Sequence, residues 1–176
     1  MQKVYPDSVI VDDEDNPIGH MQLPEAIKQN KNLRVGRVII VNSKGDMLLQ
    51  QRGRNIAAPL LWNDAASGHV DEGDSYLETA VKELLEETGL TVDPNDLEQI
   101  DYFYIREGRL GSDTGRFHTV YKYVYDGEVE VQDEEVESFR WSTIEDLDTE
   151  MREHPERFTG GFMHLAQNYI KKISNI

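Results

Sequence analysis

Three glutamates stand close together near the middle of this 176-residue chain, at positions 83, 86 and 87. Successive residues of an α-helix turn by about 100°, so Glu83, Glu86 and Glu87 project within one arc of roughly 100°. Like charges at these spacings destabilise an isolated helix, whereas a divalent cation would turn the repulsion into coordination. Ligands that are all oxygen suit Mg²⁺ or Mn²⁺ rather than zinc or copper. The alternative is an acid-rich helix facing solvent, since glutamate is a good helix former.

The helix that must carry these glutamates is predicted over residues 75–88. Ser75 or Asp74 can accept the first free backbone N–H groups, and Gly89 stands where a left-handed residue ends a helix. An apolar face at helical spacing is formed by Leu77, Ala80, Val81 and Leu84. We expect this face to pack on a sheet, and the arc of carboxylates, offset from it, to face a cleft.

The spacing of the surrounding residues distinguishes a metal site from an ordinary acidic helix. The stretch GHVDEGDSYLETAVKELLEETGL, residues 68–90, resembles the Nudix box, Gly-x5-Glu-x7-Arg-Glu-apolar-x-Glu-Glu-x-Gly-apolar. The resemblance covers all positions of the box and extends more loosely over most of the chain. Two positions depart from it. Asp74 replaces the first glutamate and Lys82 replaces the arginine, and both keep the sign of the charge.

The resemblance implies a fold and a chemistry. Nudix proteins have an α/β/α sandwich around a mixed β-sheet, and most hydrolyse a nucleoside diphosphate linked to another group, with a divalent metal. It implies that Glu83, Glu86 and Glu87 bind Mg²⁺ or Mn²⁺, joined by the backbone carbonyl of Gly68, with Glu86 and Glu87 also catalytic. The function expected is that of a Mg²⁺-dependent pyrophosphohydrolase acting on a small-molecule diphosphate. A non-catalytic nucleotide-binding domain is an alternative, because Asp74 and Lys82 depart from the pattern.

A further carboxylate is expected from the acidic run QDEEVESFRW. Nudix domains often take one from a loop before a late tryptophan-containing strand, and Glu135, six residues before Trp141, fits best. Its role would be to bind metal or to act as general base. Glu134 and Glu137 are neighbours that could replace it. Taken alone, the run is more typical of a solvated loop.

Basic residues supply candidate contacts to substrate. Arg52 and Arg54 end the second strand of a predicted hairpin, and arginine pairs well with phosphate oxygens. His69 directly follows Gly68 and could reach the site. His118 lies among aromatic strand residues, which favours a structural role. The alternating tyrosines of two later strands could stack on a base, although such faces usually belong to the core.

The layout also resembles the isopentenyl-diphosphate isomerase branch of the same superfamily. That branch uses a cysteine just before the Gly-His pair, where this chain has Ser67, and two histidines from the segment before the first long strand. Here that segment, LPEAIKQNKNLRVGRV, contains none, and His20 lies further upstream. The isomerase is therefore an alternative that shares the architecture but lacks parts of the mechanism.

Composition limits the partners and the location. The formal charge of −16, from 34 acidic and 18 basic residues, repels nucleic acid and anionic membranes over roughly a Debye length. The chain has no cysteine and no apolar run long enough to span a membrane, and its start does not resemble a signal peptide. A cytoplasmic protein is expected, and a homodimer is compatible with the sequence.

The remaining pattern predicts an α/β protein with one domain over residues 1–176. Residues 1–33 give an N-terminal strand and a connecting segment, 34–150 the core, and 151–176 the C-terminal helix. Within the core, the pattern predicts a hairpin in RVGRVIIVNSKGDMLLQQRGR. It predicts strands in LEQIDYFYI, FHTVYKYVYD and ESFRWST. A helix is expected in IEDLDTEMREH.

Overall fold

The structure is a computed structural model that describes residues 6–106, 113–132 and 134–174. Nine strands form in these ranges: β1 (Ser8–Val11), β2 (Pro17–Met21), β3 (Asn32–Val41), β4 (Met47–Arg52), β5 (Trp62–Asn63), β6 (Ala66–His69), β7 (Glu98–Arg106), β8 (Gly115–Val124) and β9 (Val136–Ser142). The α-helices are α1 (Leu23–Lys28), α2 (Tyr76–Thr88), α3 (Ile144–Glu153) and α4 (Gly160–Ser174).

Strand β3 organises a mixed sheet. Along one edge it runs parallel to β8, from the pair Leu33–Arg116 to the pair Val41–Val124. Along its other edge it pairs antiparallel with β1, then β6, then β4. Strand β2 adds to β1, β7 to β8, and both β5 and β9 to β4. Because β1, β6 and β4 share one edge of β3 in succession, the sheet opens beside β6, where the box begins.

Alternate residues of β3 face two different helical layers. Val38 and Ile40 are buried against the apolar face of α2. Ile39 and Val41 point the other way and are buried against α3 and α4. The alternation follows from the period of two in a strand. Helices therefore cover both faces of one mixed sheet, which confirms the predicted α/β/α architecture.

The N-terminal hairpin of β1 and β2 is fastened to the rest of the fold through its turn. Asp15, in the turn, has a positive φ of 63°. Its carboxylate accepts hydrogen bonds from Arg34 Nε at 2.7 Å and from the hydroxyls of Tyr76 and Tyr102 at 2.9 and 3.0 Å. One side chain thus connects the hairpin to β3, α2 and β7.

The predicted box helix is confirmed nearly to the residue. Ser75 is the N-cap of α2, and its side chain and that of Glu78 form a reciprocal capping box. Gly89 follows the helix with φ 74°, in the left-handed conformation that glycine adopts without steric cost. The helix expected in IEDLDTEMREH is present as α3, and the C-terminal helix expected within residues 151–176 is present as α4.

Candidate active site and metal centre

The three glutamates of α2 lie in different environments. Ala80 and Leu84 are fully buried, which fixes the rotation of the helix on the sheet. Glu87 comes seven residues after Ala80 and so points within about 20° of it, toward β4, where Gln50 Nε2 donates to its carboxylate. Glu83 is half-buried and Glu86 is exposed. Glu87 therefore lies at the edge of the apolar stripe, closer to it than expected, and all three carboxylates line one cavity, in agreement with the prediction that they face a cleft.

Two glycines allow α2 to approach the sheet closely. Gly36 of β3 pairs with Gly68 of β6. A Cβ atom on Gly36 would lie 2.8 Å from the backbone oxygen of Tyr76, and one on Gly68 would overlap the Glu83 carboxylate. The Glu83 side chain thus rests against the Gly68 backbone. The first glycine of the box is thus brought into contact with the first of the three glutamates that were predicted to bind metal.

The carboxyl groups of Glu83 and Glu87 carry raised pKa values. Burial, followed by the charge of Glu86, raises the pKa of Glu83 to about 7, and the Glu83 carboxyl is hydrogen bonded to Glu87. Burial, followed by the charge of Glu83, raises the pKa of Glu87 well above its usual value. Both shifts favour the protonated form of these carboxyls when no cation is bound. An all-oxygen set whose members repel one another when ionised fits Mg²⁺ or Mn²⁺, which would replace the proton.

A second wall of the site comes from the loop before β9. Gly53 N–H donates to the backbone oxygen of Glu135 at 2.7 Å, and a Cβ on Gly53 would overlap the backbone at Glu134. This close approach holds the 134–135 turn beside the end of β4. Glu135 is half-buried and lines the same cavity as the α2 carboxylates, and its charge contributes to the raised pKa of Glu83.

The two arginines predicted to contact substrate have different positions. Arg52 lines the cavity, where its Nε donates to the carbonyl oxygen of Ala57 at 2.9 Å. Burial lowers its pKa, against the opposing effect of the nearby Glu87. Arg54 is exposed, pairs with Glu137 at 2.7 Å and does not line the cavity. The structure thus brings Arg52, but not Arg54, to the box glutamates.

Lys82, which stands where the box pattern has arginine, forms an ion pair with Asp71 at 2.9 Å. That hydrogen bond raises the pKa of the Lys82 ammonium. Asp74 lies in the same turn, where its N–H donates to the carbonyl oxygen of Asp71. The lysine therefore holds the loop between β6 and α2 by a single point contact, without the planar fork of an arginine.

A buried ion pair beneath the cavity was not indicated by the sequence pattern. Arg37 of β3 donates to Asp64 at 2.5 Å and to Asn63 Oδ1 at 2.8 Å. Asn63 Oδ1 also accepts from Thr159 Oγ1 at 2.7 Å. The network connects β3, β5 and the start of α4. Its hydrogen bonds join residues 26 to 96 positions apart, so no local motif could have linked them.

His69 and His118 both pair with Val35 of β3, which shares the sheet face of Ile39, the face opposite α2. Burial, followed by the charge of Arg116, lowers the pKa of His69 to about 3. Arg116 Nε lies 3.4 Å from His69 Nε2, so this nitrogen accepts and the neutral ring carries its proton on Nδ1. His118 is 1% exposed, and neither of its ring nitrogens has a hydrogen-bond partner among the described residues.

These groups surround one cavity of about 670 Å³. That volume is within the range of small-molecule sites. The lining includes the box carboxylates, Glu135, Arg52 and Lys82, and also the two histidines, Arg116 and the start of α4. Leu23, Pro24 and Ile27 of the α1 segment contribute an apolar wall. A ligand with a diphosphate and a second polar part could occupy its whole length.

A family model agrees with this arrangement. The NUDIX domain model matches residues 31–160. The match covers most of the chain, including the complete box, β3 and the start of α4. The chain therefore belongs to the Nudix family.

The similar proteins carry names that refer to different activities. An isopentenyl-diphosphate Delta-isomerase from Serratia proteamaculans is 29% identical over 161 residues, 91% of this chain and 89% of that protein. The uncharacterised Nudix hydrolase PA4841 from Pseudomonas aeruginosa is 37% identical over 84 residues, 46% of this chain and 48% of that protein. The crystal structure of DR0079 from Deinococcus radiodurans has a TM-score of 0.76 at 19% identity, over 92% of this chain and 98% of that one.

Among the helices in the described ranges, none has the length and apolar character needed to cross a membrane.

Proposed function

We propose that this protein hydrolyses a diphosphate bond in a small molecule with the help of Mg²⁺ or Mn²⁺, the substrate being a nucleoside diphosphate linked to another group. The observation that carries the proposal is the contact of Glu83 with Gly68 beside the hydrogen-bonded carboxyl of Glu87. Oxygen ligands from α2 and the β6 backbone meet at one end of a cavity large enough for such a substrate.

Glu83, Glu86, Glu87 and the Gly68 carbonyl would hold the cation. When bound, the cation would neutralise diphosphate oxygens, lower the pKa of a coordinated water and stabilise the charge that develops as the P–O bond breaks. The raised pKa values of Glu83 and Glu87 support this assignment, because their ionised forms are costly in the fold until a cation compensates them.

The remaining roles belong to the opposite wall. Glu135 is held beside the box by the Gly53–Glu135 backbone hydrogen bond and is the candidate base that takes a proton from the attacking water. Arg52, half-buried in the same cavity, would contact a phosphate oxygen of the substrate. Hydrolysis would release two phosphorylated fragments, or a monophosphate and pyrophosphate.

The test is a panel of nucleoside triphosphates, nucleotide sugars, dinucleoside polyphosphates, NADH and NADPH, incubated with and without Mg²⁺ or Mn²⁺. Products are separated by anion-exchange chromatography. We expect metal-dependent turnover of at least one class. If no compound is cleaved with either metal, the proposed hydrolysis is wrong. Tight binding of an uncleaved nucleotide in the same experiment would favour the non-catalytic binding domain.

Isomerisation of isopentenyl diphosphate is the second candidate, favoured by the relatives that bear that name over most of the chain. Against it, Ser67 stands where the isomerase branch uses a cysteine, and its hydroxyl accepts a hydrogen bond from Asn63 Nδ2 at 3.1 Å. A serine hydroxyl is a far weaker acid than a thiol and a poor substitute in protonating a double bond. NMR observation of the allylic product from the wild-type chain would establish the isomerase and overturn our ranking.

A further inference from the structure

The cavity has a second polar end that the metal-dependent chemistry does not use. It consists of His69, Arg116, His118 and the N-terminus of α4 at Thr159 and Gly160, all of which line the cavity. We call this group the distal subsite. Its two histidines lie on the sheet face opposite α2.

The first observation that points to a ligand here is the environment of the His118 side chain. Its side chain lines the cavity and is 1% exposed, yet neither ring nitrogen has a partner in the described part of the chain. One face of the ring packs on Phe103, with 4.7 Å between centroids. Burial of polar nitrogens without hydrogen bonds is costly, so a bound group that accepts from this ring would recover that cost.

The N-terminus of α4 is the second, independent observation. Thr159 is its cap, since Met163 N–H donates to the Thr159 carbonyl at 2.9 Å and Phe162 N–H lies 3.3 Å from the Thr159 hydroxyl. The N–H groups of the first residues of a helix have no partner within the helix and carry a partial positive charge. Gly160, the first residue of α4, presents no side chain between its N–H and the cavity.

The two features are held together by the buried network under the cavity. Position 118 of β8 lies beside Val35 of β3, two residues from Arg37 on the same face of the sheet. Arg37 and Thr159 both donate to Asn63 Oδ1, at 2.8 and 2.7 Å. The start of α4 is thereby fixed over the sheet face that carries His118.

The charges at this end favour an anion over a metal ion. Arg116 Nε lies 3.4 Å from His69 Nε2, so this ring nitrogen already faces a cationic side chain. The charge of Arg37 is already compensated by Asp64. A helix N-terminus, an arginine and a neutral histidine that can donate one hydrogen bond together match an acceptor-only oxyanion.

We propose that the distal subsite binds a second oxyanion of the substrate, a phosphate or carboxylate remote from the diphosphate. The inference rests on the proposed hydrolysis for the identity of the substrate, although the binding itself can be measured without any reaction. The substrates preferred are then diphosphates that carry a further phosphate or acid group on one of the two linked parts.

Binding is tested first, on metal-free protein, by adding inorganic phosphate and following the ring signals of ¹⁵N-labelled histidine and the Gly160 amide by NMR. We expect both to shift together in the wild-type chain. Arg116→Gln should weaken phosphate binding about tenfold or more, as expected for loss of a charge-assisted hydrogen bond. Arg152→Gln, which removes an exposed arginine paired with Asp148 on α3, should leave it unchanged.

A matched pair at the helix N-terminus covers the case in which Arg116→Gln does not fold. Proline is well tolerated at the first position of a helix but has no N–H. Gly160→Pro should therefore weaken phosphate binding several-fold more than Gly160→Ala, which keeps the N–H. Unshifted His118 and Gly160 signals in the wild-type chain, or equal phosphate affinity in the Gly160 pair and the wild type, would overturn the subsite.

Hydrolysis distinguishes the two sources of the oxyanion. NADPH differs from NADH by one phosphate, and UDP-glucuronate differs from UDP-glucose by one carboxylate. We expect kcat/KM to be about tenfold or more higher for the charged member of one pair, and the preference to disappear in Arg116→Gln. If substrates are hydrolysed with no preference for the charged member of either pair, and no phosphate binds, the proposed subsite is contradicted and the proposed hydrolysis is supported. If phosphate binds at the distal subsite but no substrate is cleaved, the subsite is supported and the proposed hydrolysis is contradicted.

Discussion

The carboxylate of Glu83 lies against the backbone of Gly68, so closely that a methyl group on Gly68 would occupy the same space. This contact joins α2 to β6 and fixes where the first box carboxylate can point. Position 68 therefore has no room for a side chain unless Glu83 moves, and adding a single methyl group tests this.

Gly68→Ala should displace the Glu83 carboxylate without removing any ligand. We expect metal-dependent activity to fall roughly 10²-fold, because small misplacements of catalytic groups have effects of that size. Overpacking should lower the free energy of unfolding by about 1–3 kcal/mol. The control is Gly19→Ala, since a Cβ on Gly19 meets no atom within 4 Å. Full activity of Gly68→Ala would show that the contact does not position Glu83.

Glu86→Gln and Glu87→Gln should each weaken Mn²⁺ binding, measured by electron paramagnetic resonance, because each removes a charged oxygen ligand. Without metal, the melting temperature should be unchanged or slightly higher, since one of several crowded negative charges is gone. Glu78→Gln is the control on the same helix, because glutamine also completes the capping box with Ser75. If the variants bind Mn²⁺ normally but have lower melting temperatures than the wild type, the three glutamates have a structural role and do not bind metal.

The stability of the metal-free protein should depend on the protonation of Glu83. Its pKa is raised in the fold from 4.5 to about 7, so the folded chain binds this proton more tightly than the unfolded chain does. The resulting stabilisation is present at low pH and is lost as the pH rises through about 7. The melting temperature should fall across this range, and saturating Mg²⁺ should reverse the fall at high pH.

The matched variant is Glu83→Gln, which cannot ionise. Its melting temperature should fall less steeply between about pH 5 and pH 8 than that of the wild type. The comparison removes the contribution of the other acidic groups, which both proteins share. Identical slopes for the two proteins would contradict the raised pKa of Glu83.

The N-terminal hairpin should depend on Asp15. Its side chain is 12% exposed and accepts from Arg34, Tyr76 and Tyr102. Asp15→Ala should lower the free energy of unfolding by about 2–4 kcal/mol, because it leaves the Arg34 charge partly buried without its partner. Asp15→Asn should cost less, since asparagine tolerates the positive φ and still accepts hydrogen bonds. Chemical denaturation measures both, and exposed Glu14→Ala is the control.

The sequence predicted those features that depend on local order along the chain. Ser75, Gly89 and the stripe through Ala80 and Leu84 define α2 because caps and helical periodicity are properties of neighbouring residues. Glu87 faces the cavity as predicted, but its spacing from Ala80, nearly two full turns, also aligns it with the edge of the stripe and so with Gln50 of β4. That alignment could have been found from the sequence by counting turns.

What the sequence could not predict are contacts between distant segments. The parallel pairing of β3 with β8 brings His118 beside Val35, 83 residues earlier in the chain. The Arg54–Glu137 pair and the Arg37–Asp64 pair likewise depend on the sheet order. His118 was expected to be structural, and its stacking on Phe103 agrees. Yet the residue lines the cavity, and its ring nitrogens have no hydrogen-bond partner among the described residues. No feature of the neighbouring sequence distinguishes a histidine buried in the core from one that lines a cavity.

The most direct test of the central claim is kcat/KM for the best diphosphate substrate as a function of Mg²⁺ concentration, in wild type, Glu87→Gln and Glu78→Gln. We predict that activity requires Mg²⁺, that Glu78→Gln retains nearly all of it, and that Glu87→Gln loses on the order of 10²-fold or more. Hydrolysis that proceeds equally without a divalent metal, or that is as fast in Glu87→Gln as in the wild type, would contradict the account.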